Sequence, residues 1–418
     1  MAFLLALPCE LSLQITRLLG IRDKINISAT CKSFRAQLLP EIFNTIRFTN
    51  NDISAASALI AVEAHGQYVK GIEFTCQCNL DDTPTAPSLL PAACRLLNGS
   101  LTPNLQTITL KYNFGLDNDY DDVYFHFWDE EDVIATRTEE LQHEWRALMN
   151  ETWEAVAANI FVRELVLDQL PPKWTSTYYT DAFRQFLGQL ESATLNLFGF
   201  EDYIGYRTNS APGTNSFLRN LDASFFRYMT GLKRLHIRAS DPLGLEDYPP
   251  YIPLALKPGD LPLLQSLTLE NCFICSELVL FLQSHAQILE SLDVNECLCR
   301  YAPEYYSENL SWADFFDKIY EARPRLTQLI AGGSKAPFIR EEYDEGTDDA
   351  VDHSLQQLEA DSDLIAFRHM FLDTDYGSSC MDDEVDVERF HQGDDQRAYD
   401  RLMGLVKENR AGFDRKCI

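Results

Sequence analysis

Cys272, Cys275, Cys297 and Cys299 form a C-x-x-C and a C-x-C with 21 residues between them, close to the spacing of a four-thiolate zinc site. Cys272 and Cys297 also hold the same place in a repeated nine-residue pattern, which explains both without a metal. Asp117, Asp119 and Asp121 imitate the first three ligands of a calcium loop. The imitation fails downstream, where Asp122 replaces the turn glycine and Trp128 the bidentate glutamate. His143-Glu144 opens like a zincin motif, but Ala147 stands where the second histidine belongs. The sequence has no phosphate loop of the P-loop form, no dinucleotide fingerprint and no G-x-S-x-G elbow. The expectation is a protein that is not an enzyme, with no catalytic residues, no metal and no cofactor.

What remains is the chemistry of surfaces. With 64 acidic against 35 basic residues the formal charge is −29, a field that repels nucleic acid phosphates and anionic lipid headgroups. No nucleic acid or membrane partner is expected, and partners selected by charge should be basic. The stretch from Asp117 to Asp132 gathers eight acids and five aromatics. It reads either as a solvated acidic loop or as a substrate-contacting insertion, in which Tyr120, Tyr124, Phe125, Phe127 and Trp128 are the anchors and the acids steer a basic protein.

The elements that would position such a loop come from a recurring pattern L-x-x-L-x-L-x-x-C/N. Its clearest copies begin at Leu264 and Leu289, two more at Leu105 and Leu232, and weaker ones at Val69, Val162, Leu190 and Leu326. Each copy predicts a short strand with alternate residues inward, the last Cys or Asn satisfying backbone groups at the turn. The starts lie 25 to 57 residues apart, so helices and insertions of uneven length are expected between strands. One such helix is expected over 139–158, with Leu141, Trp145, Leu148, Met149 and Val156 on one face and a capping box from Thr136 and Glu139. Six prolines between 242 and 262 predict an extended surface loop.

The N-terminus differs in kind. Leu7-Pro8 opens a helix with Leu11, Ile15, Leu18 and Leu19 on one face, ended by Gly20. Asp23 is the expected cap of a second helix bearing Ile25 and Ile27, and Phe34 with Leu38 gives a third stripe before Pro40. About forty residues cannot enclose a core of their own, so these apolar faces need a partner. The stretch 7–43 resembles an F-box of the fungal type, although Phe34 stands where many members carry Trp, and Lys24 where an apolar residue is usual. The resemblance implies a three-helix plug on the Skp adaptor of cullin-RING ubiquitin ligases. It places Leu7, Pro8, Leu11, Ile15, Leu18, Leu19, Ile25, Ile27, Cys31 and Phe34 at the family's contact or core positions.

The expected organisation is α/β: a helical F-box-like module over 1–48, an irregular leucine-rich-repeat-like solenoid with a parallel sheet over 49–340, and an acidic, partly disordered tail with a C-terminal helix over 341–418. Between Glu341 and Glu388 seventeen residues are acidic and only Arg368 is Lys or Arg. The tail reads as solubilising or as autoinhibitory and basic-partner-binding. Eleven scattered cysteines indicate reduced thiols, no window approaches eighteen consecutive apolar residues, and no signal peptide is read, so cytosol or nucleus is expected. The implied function is substrate recognition for an SCF-type ligase; the alternative is a scaffold or regulator that acts without ubiquitin transfer.

Overall fold

A computed structural model of the 418-residue chain describes residues 9–80, 89–114, 126–199, 207–244, 252–300, 310–332, 349–372, 379–381 and 383–414. Three short helices come first: α1 Cys9–Arg17, α2 Ile21–Ser28 and α3 Lys32–Ile42. Strands and helices then alternate: β1 Thr45–Thr49, α4 Asp52–His65, β2 Gly71–Gln77, α5 Pro91–Leu97, β3 Thr107–Asn113, α6 Val133–Gln142, α7 Glu144–Ala157, β4 Glu164–Leu170, α8 Asp181–Gly188, β5 Ser192–Leu197, α9 Pro212–Arg219, α10 Leu221–Ser224, β6 Arg234–Leu243, β7 Ser266–Ile274, α11 Ser276–Ser284, β8 Ser291–Arg300, α12 Trp312–Glu321 and β9 Gln328–Ala331. The C-terminal part adds α13 Asp349–Ala360, β10 His369–Leu372, β11 Ser379–Met381, α14 Asp383–Gln392 and α15 Asp394–Asp414. The architecture is α/β with a parallel sheet.

Among the described residues, β1 to β9 lie side by side in chain order and pair in parallel. β10 adds to β8 in parallel beyond β9, and β11 closes antiparallel on β10. Each of the eight pattern copies begins two residues before one of the strands β2 to β9. The copies stack in register, so that Ile72, Ile108, Leu165, Ala193, Leu235, Leu267, Leu292 and Leu329 form one continuous row of inward side chains. All eight are buried, as are the eight residues that open the copies. A backbone device accompanies this row: from Asn44 to Glu290, eight carbonyls just ahead of successive strands each accept two consecutive N–H groups of the next strand's entry, at 2.7–3.2 Å. Backbone groups at the sheet margin are thus paired strand by strand with no side chain needed.

Helices cover the inner face with bulky apolar groups. α7 buries Trp145, Met149, Trp153 and Val156, and Trp153 meets Tyr178 and Phe183 edge to face at 5.5 and 5.4 Å. The helix expected over 139–158 is two, because His143 is extended (φ −117°, ψ 125°), ending α6 and starting α7. Asp132, not a capping box, opens α6, and Leu141 lies exposed on α6 instead of sharing the α7 face.

The Pro-rich stretch also departs from the surface loop expected for it. Ile252, Leu254, Ala255 and Leu256 are buried, with Leu254 N–H donating to Glu277 Oε2 at 2.9 Å. Proline forbids the helix but leaves extended backbone free to fill the core edge.

The described part of the expected tail behaves as a cover over the last strands. Phe367, Ala398, Leu402 and Val406 join the main core, and Asn409 Nδ2 donates to Pro324 O and Leu326 O at 2.8 and 3.0 Å. A stack of strands exposes its last apolar row unless something caps it, and α15 supplies those side chains; Asp394, Asp400 and Glu408 stay exposed, while Asp395 is buried and accepts from Ala313 N–H at 2.8 Å. Among the described residues no helix is long and apolar enough to cross a membrane.

Candidate interaction surfaces

The N-terminal helices turn their apolar residues outward. α2 buries none of its residues, and α3 buries only Phe34 and Leu38. Leu11, Ile15, Leu18 and Ile25 are exposed, Leu18 at 88 %, while Leu19, Ile27 and Cys31 are half-buried; Leu7 and Pro8 lie outside the described residues. Ile21, exposed too, extends the same set and was legible only as one more apolar residue beside Gly20. Asp23 sits inside the first turn of α2, whose cap position is Gly20 with no side-chain bond. Cys31 caps α3, its Sγ accepting from Phe34 N–H at 3.4 Å. Lys24 pairs with Glu41 at 2.9 Å with both side chains largely covered, which ties α2 to α3 and gives the lysine a structural task.

The outer face of the sheet is polar and paired across strands. Arg47 bonds Glu73 through both guanidinium arms, Lys111 Nζ meets Asp168 at 3.1 Å, and Glu270 receives His236 Nε2 at 2.8 Å and Arg238 at 3.4 Å. Beyond these pairs a groove of about 630 Å³ opens between strand ends, lined among others by Asn196, Arg238, Ser240, Asn271, Glu296 and Arg368. Asn271 takes the left-handed conformation (φ 55°) and its Nδ2 donates to Ala239 O and Ser240 O, both at 2.9 Å. Gln169 takes the same conformation (φ 58°) at the equivalent place within β4, and in both strands the parallel register shifts there.

The cysteines of the repeat serve this backbone. Cys297 Sγ donates to Leu269 O of the preceding strand at 3.4 Å, and Cys299 Sγ to Leu310 O at 2.6 Å. Burial pushes the thiols of Cys272, Cys297 and Cys299 up, which suits the donor role that Cys297 and Cys299 take here.

Of the acidic stretch, Tyr120, Tyr124 and Phe125, with Asp117, Asp119 and Asp121, lie outside the described residues. Phe127 is fully buried, 5.5 Å from the Phe198 ring and 6.2 Å from Trp145, and so is a core side chain instead of the partner anchor expected. Its burial depends on rings brought by β5 and α7, which no local pattern reveals. Trp128 is exposed (44 %).

The chain just after it is pinned by charge. Glu131 bonds Arg146 at 2.7 and 2.6 Å and Lys173 at 2.5 Å, with all three side chains at most 4 % exposed, and Arg146 also donates to Trp174 O at 2.7 Å. Burial pushes the Glu131 carboxyl up, and the bonds and charges of Arg146 and Lys173 more than reverse this, holding it below its ordinary value. No protein-family model and no curated protein matches the chain.

Proposed function

We propose that this chain is the substrate-recognition subunit of an SCF-type (cullin-RING) ubiquitin ligase. In this reading α1–α3 are an F-box-like plug that docks on the Skp adaptor. The strands β2–β9 form an irregular leucine-rich-repeat-like solenoid whose outer face and strand-end loops hold a protein substrate. The observation that carries it is the outward apolar set Leu11, Ile15, Leu18, Ile21 and Ile25 on helices that bury almost nothing of their own. Covering a fully exposed side chain of this kind stabilises a complex by about 1.5–3 kcal/mol, and covering the half-exposed ones by roughly half as much each. A receptor needs no nucleophile: holding a lysine beside a ubiquitin-charged carrier raises its effective concentration, and partner subunits do the chemistry.

The test is co-purification of the full chain with a Skp adaptor. Replacing Leu11, Ile15 and Leu18 together by Ser should abolish capture while the thermal midpoint stays put, because all three are exposed; undiminished capture removes the assignment. A captured protein that accumulates when the chain is deleted marks a receptor, whereas unchanged turnover marks a Skp-bound scaffold.

A further inference from the structure

Helix α6 is firmly started and faces outward. Asp132 accepts from Ile134 N–H and Ala135 N–H at 2.9 and 2.7 Å, and of its ten residues only Thr136 is buried. Ile134 and Leu141, seven residues apart, share one side of the helix and are 76 % and 79 % exposed. Val133 and Trp128 are exposed beside them in sequence. Single exposed apolar residues are ordinary, but here four large ones fall within fourteen residues of sequence and two of them share one helix side.

The rim is predominantly acidic, with Arg137 exposed between Ile134 and Leu141. From Asp129 to Glu144 seven residues are acidic and one, Arg137, is basic. Glu131 is neutralised internally, Glu139 meets His143 at 3.2 Å, Glu140 binds Ser176 and Glu144 is half-buried at the start of α7, which leaves Asp129, Glu130 and Asp132 exposed at the start of the helix. The Tyr179 phenol, pushed up by burial and by Glu131 and Asp132, registers the same negative field.

Beneath the patch the frame is rigid. Besides the Glu131 pairs, Gly213 N–H donates to Trp128 O at 2.8 Å, and a Cβ at Gly213 would collide with Phe127 O and Asp129 O. Apolar groups on a fixed frame lose little entropy on binding. The basic residues of α15 do not compete for the patch, since that helix packs on α12, where Arg401 bonds Asp317 at 2.6 Å.

We propose that Trp128, Ile134 and Leu141 form a docking face for a basic amphipathic protein segment. Aliphatic side chains at helical spacing cover Ile134 and Leu141, and lysines or arginines meet Asp129, Glu130 and Asp132. Contact with the apolar groups sets residence time, and the carboxylates set approach and partner choice. The assignment of this segment to the ligase substrate rests on the receptor reading above; the face itself does not need the adaptor.

The probe is a fluorescent peptide of about eighteen residues with Leu at i, i+3, i+4 and i+7 and Lys elsewhere, a spacing that places one apolar stripe on a helix. It is compared with Glu-for-Lys and Ser-for-Leu versions on the purified full chain. The Leu/Lys peptide should bind, the Leu/Glu peptide should not, and the Ser/Lys peptide should bind at least about tenfold more weakly. Ile134→Ser with Leu141→Ser should lose at least about tenfold, equivalent to some 1.4 kcal/mol, with an unchanged thermal midpoint. Asp129→Asn with Glu130→Gln should weaken binding by about threefold and flatten its salt dependence. Peptide binding indifferent to the Ile134/Leu141 pair overturns the proposal. So does concentration-dependent self-association abolished by that pair, which would give the face to a second copy.

Adaptor capture by the same double variant should be intact. If the wild-type chain captures no adaptor while peptide binding still depends on Ile134 and Leu141, the docking face stands and the ligase assignment falls.

Discussion

The first three helices and the sheet behind them use the same aliphatic residues in opposite ways. In β2–β9 every opening Leu or Val of the pattern is buried, and the body goes so far as to bury Arg146, Lys173 and Glu131 inside their own pairs. In α1–α3 Leu11, Ile15, Leu18, Ile21 and Ile25 are exposed, Leu18 at 88 %, while Leu38 is buried, and the covered ion pair Lys24–Glu41 joins two of the helices. One region satisfies its hard-to-place groups internally, and the other leaves its easily buried groups unsatisfied. Such an inversion is what a partner-dependent module beside a self-sufficient body would show, because a cluster of exposed apolar side chains gains stability when a partner covers it.

The sharpest way to break the contrast is to remove a charge from inside the body. Arg146→Ala leaves Glu131 and Lys173 buried with one partner fewer and should cost about 3–5 kcal/mol in chemical denaturation. The same network sets an acid limit. Because the Glu131 carboxyl lies below its ordinary value of 4.5 in the folded chain, its stabilisation is fully present above that pH and is lost as pH falls through the folded value. Glu131→Gln should therefore be less stable than wild type at pH 7, with the gap narrowing below pH 4.5. A gap of constant size from pH 7 to pH 3 would mean that the carboxylate charge contributes nothing.

A crossed pair of substitutions tests the aliphatics themselves. Leu195→Ala, at a fully buried central position of β5, should cost about 2–5 kcal/mol and leave adaptor capture by the intact helices in place. Leu18→Ala should change stability by no more than about 0.5 kcal/mol and weaken capture. Equal destabilisation by the two would show that α1–α3 pack on something within the chain, and the contrast would fail.

Much of the body was legible because the repeat writes its own burial. Where L-x-x-L-x-L occurs, even in weak copies such as that beginning at Leu190, a strand starts two residues later. Legibility stopped where burial is decided by residues distant in the chain. Phe127 lies within an acidic run and reads as a surface ring, yet Phe198 and Trp145 enclose it. The four described prolines of the stretch, Pro242, Pro253, Pro258 and Pro262, lie outside helices as expected, but proline says nothing of exposure, so the burial of Leu254 and Leu256 was invisible. The break at His143 carries neither Gly nor Pro, and without it Leu141 had seemed to share the buried face of Trp145. Within the acids between 341 and 388, Leu364, Ile365, Phe367, Met370 and Phe371 read as one short amphipathic helix; the structure makes His369–Leu372 a strand and buries Phe367 between Trp312 and Phe316, rings the local pattern does not show.

The smallest effect concerns the turns that end the strands, a device the helical module lacks. Asn271 stabilises its turn twice, by tolerating φ 55° and by donating through Nδ2 to Ala239 O and Ser240 O. Asn271→Gly keeps the conformation and loses the bonds, so it should cost about 0.5–1 kcal/mol. Asn271→Ala also forces a Cβ into the left-handed region, adding about 1 kcal/mol. If Gly and Ala cost the same, the backbone there is not held left-handed and the parallel with Gln169 is coincidence. If Ala costs more by the expected step, the strand end is fixed by the turn itself, and the groove beside Arg238 and Glu296 is carried on a frame as rigid as the strands that feed it.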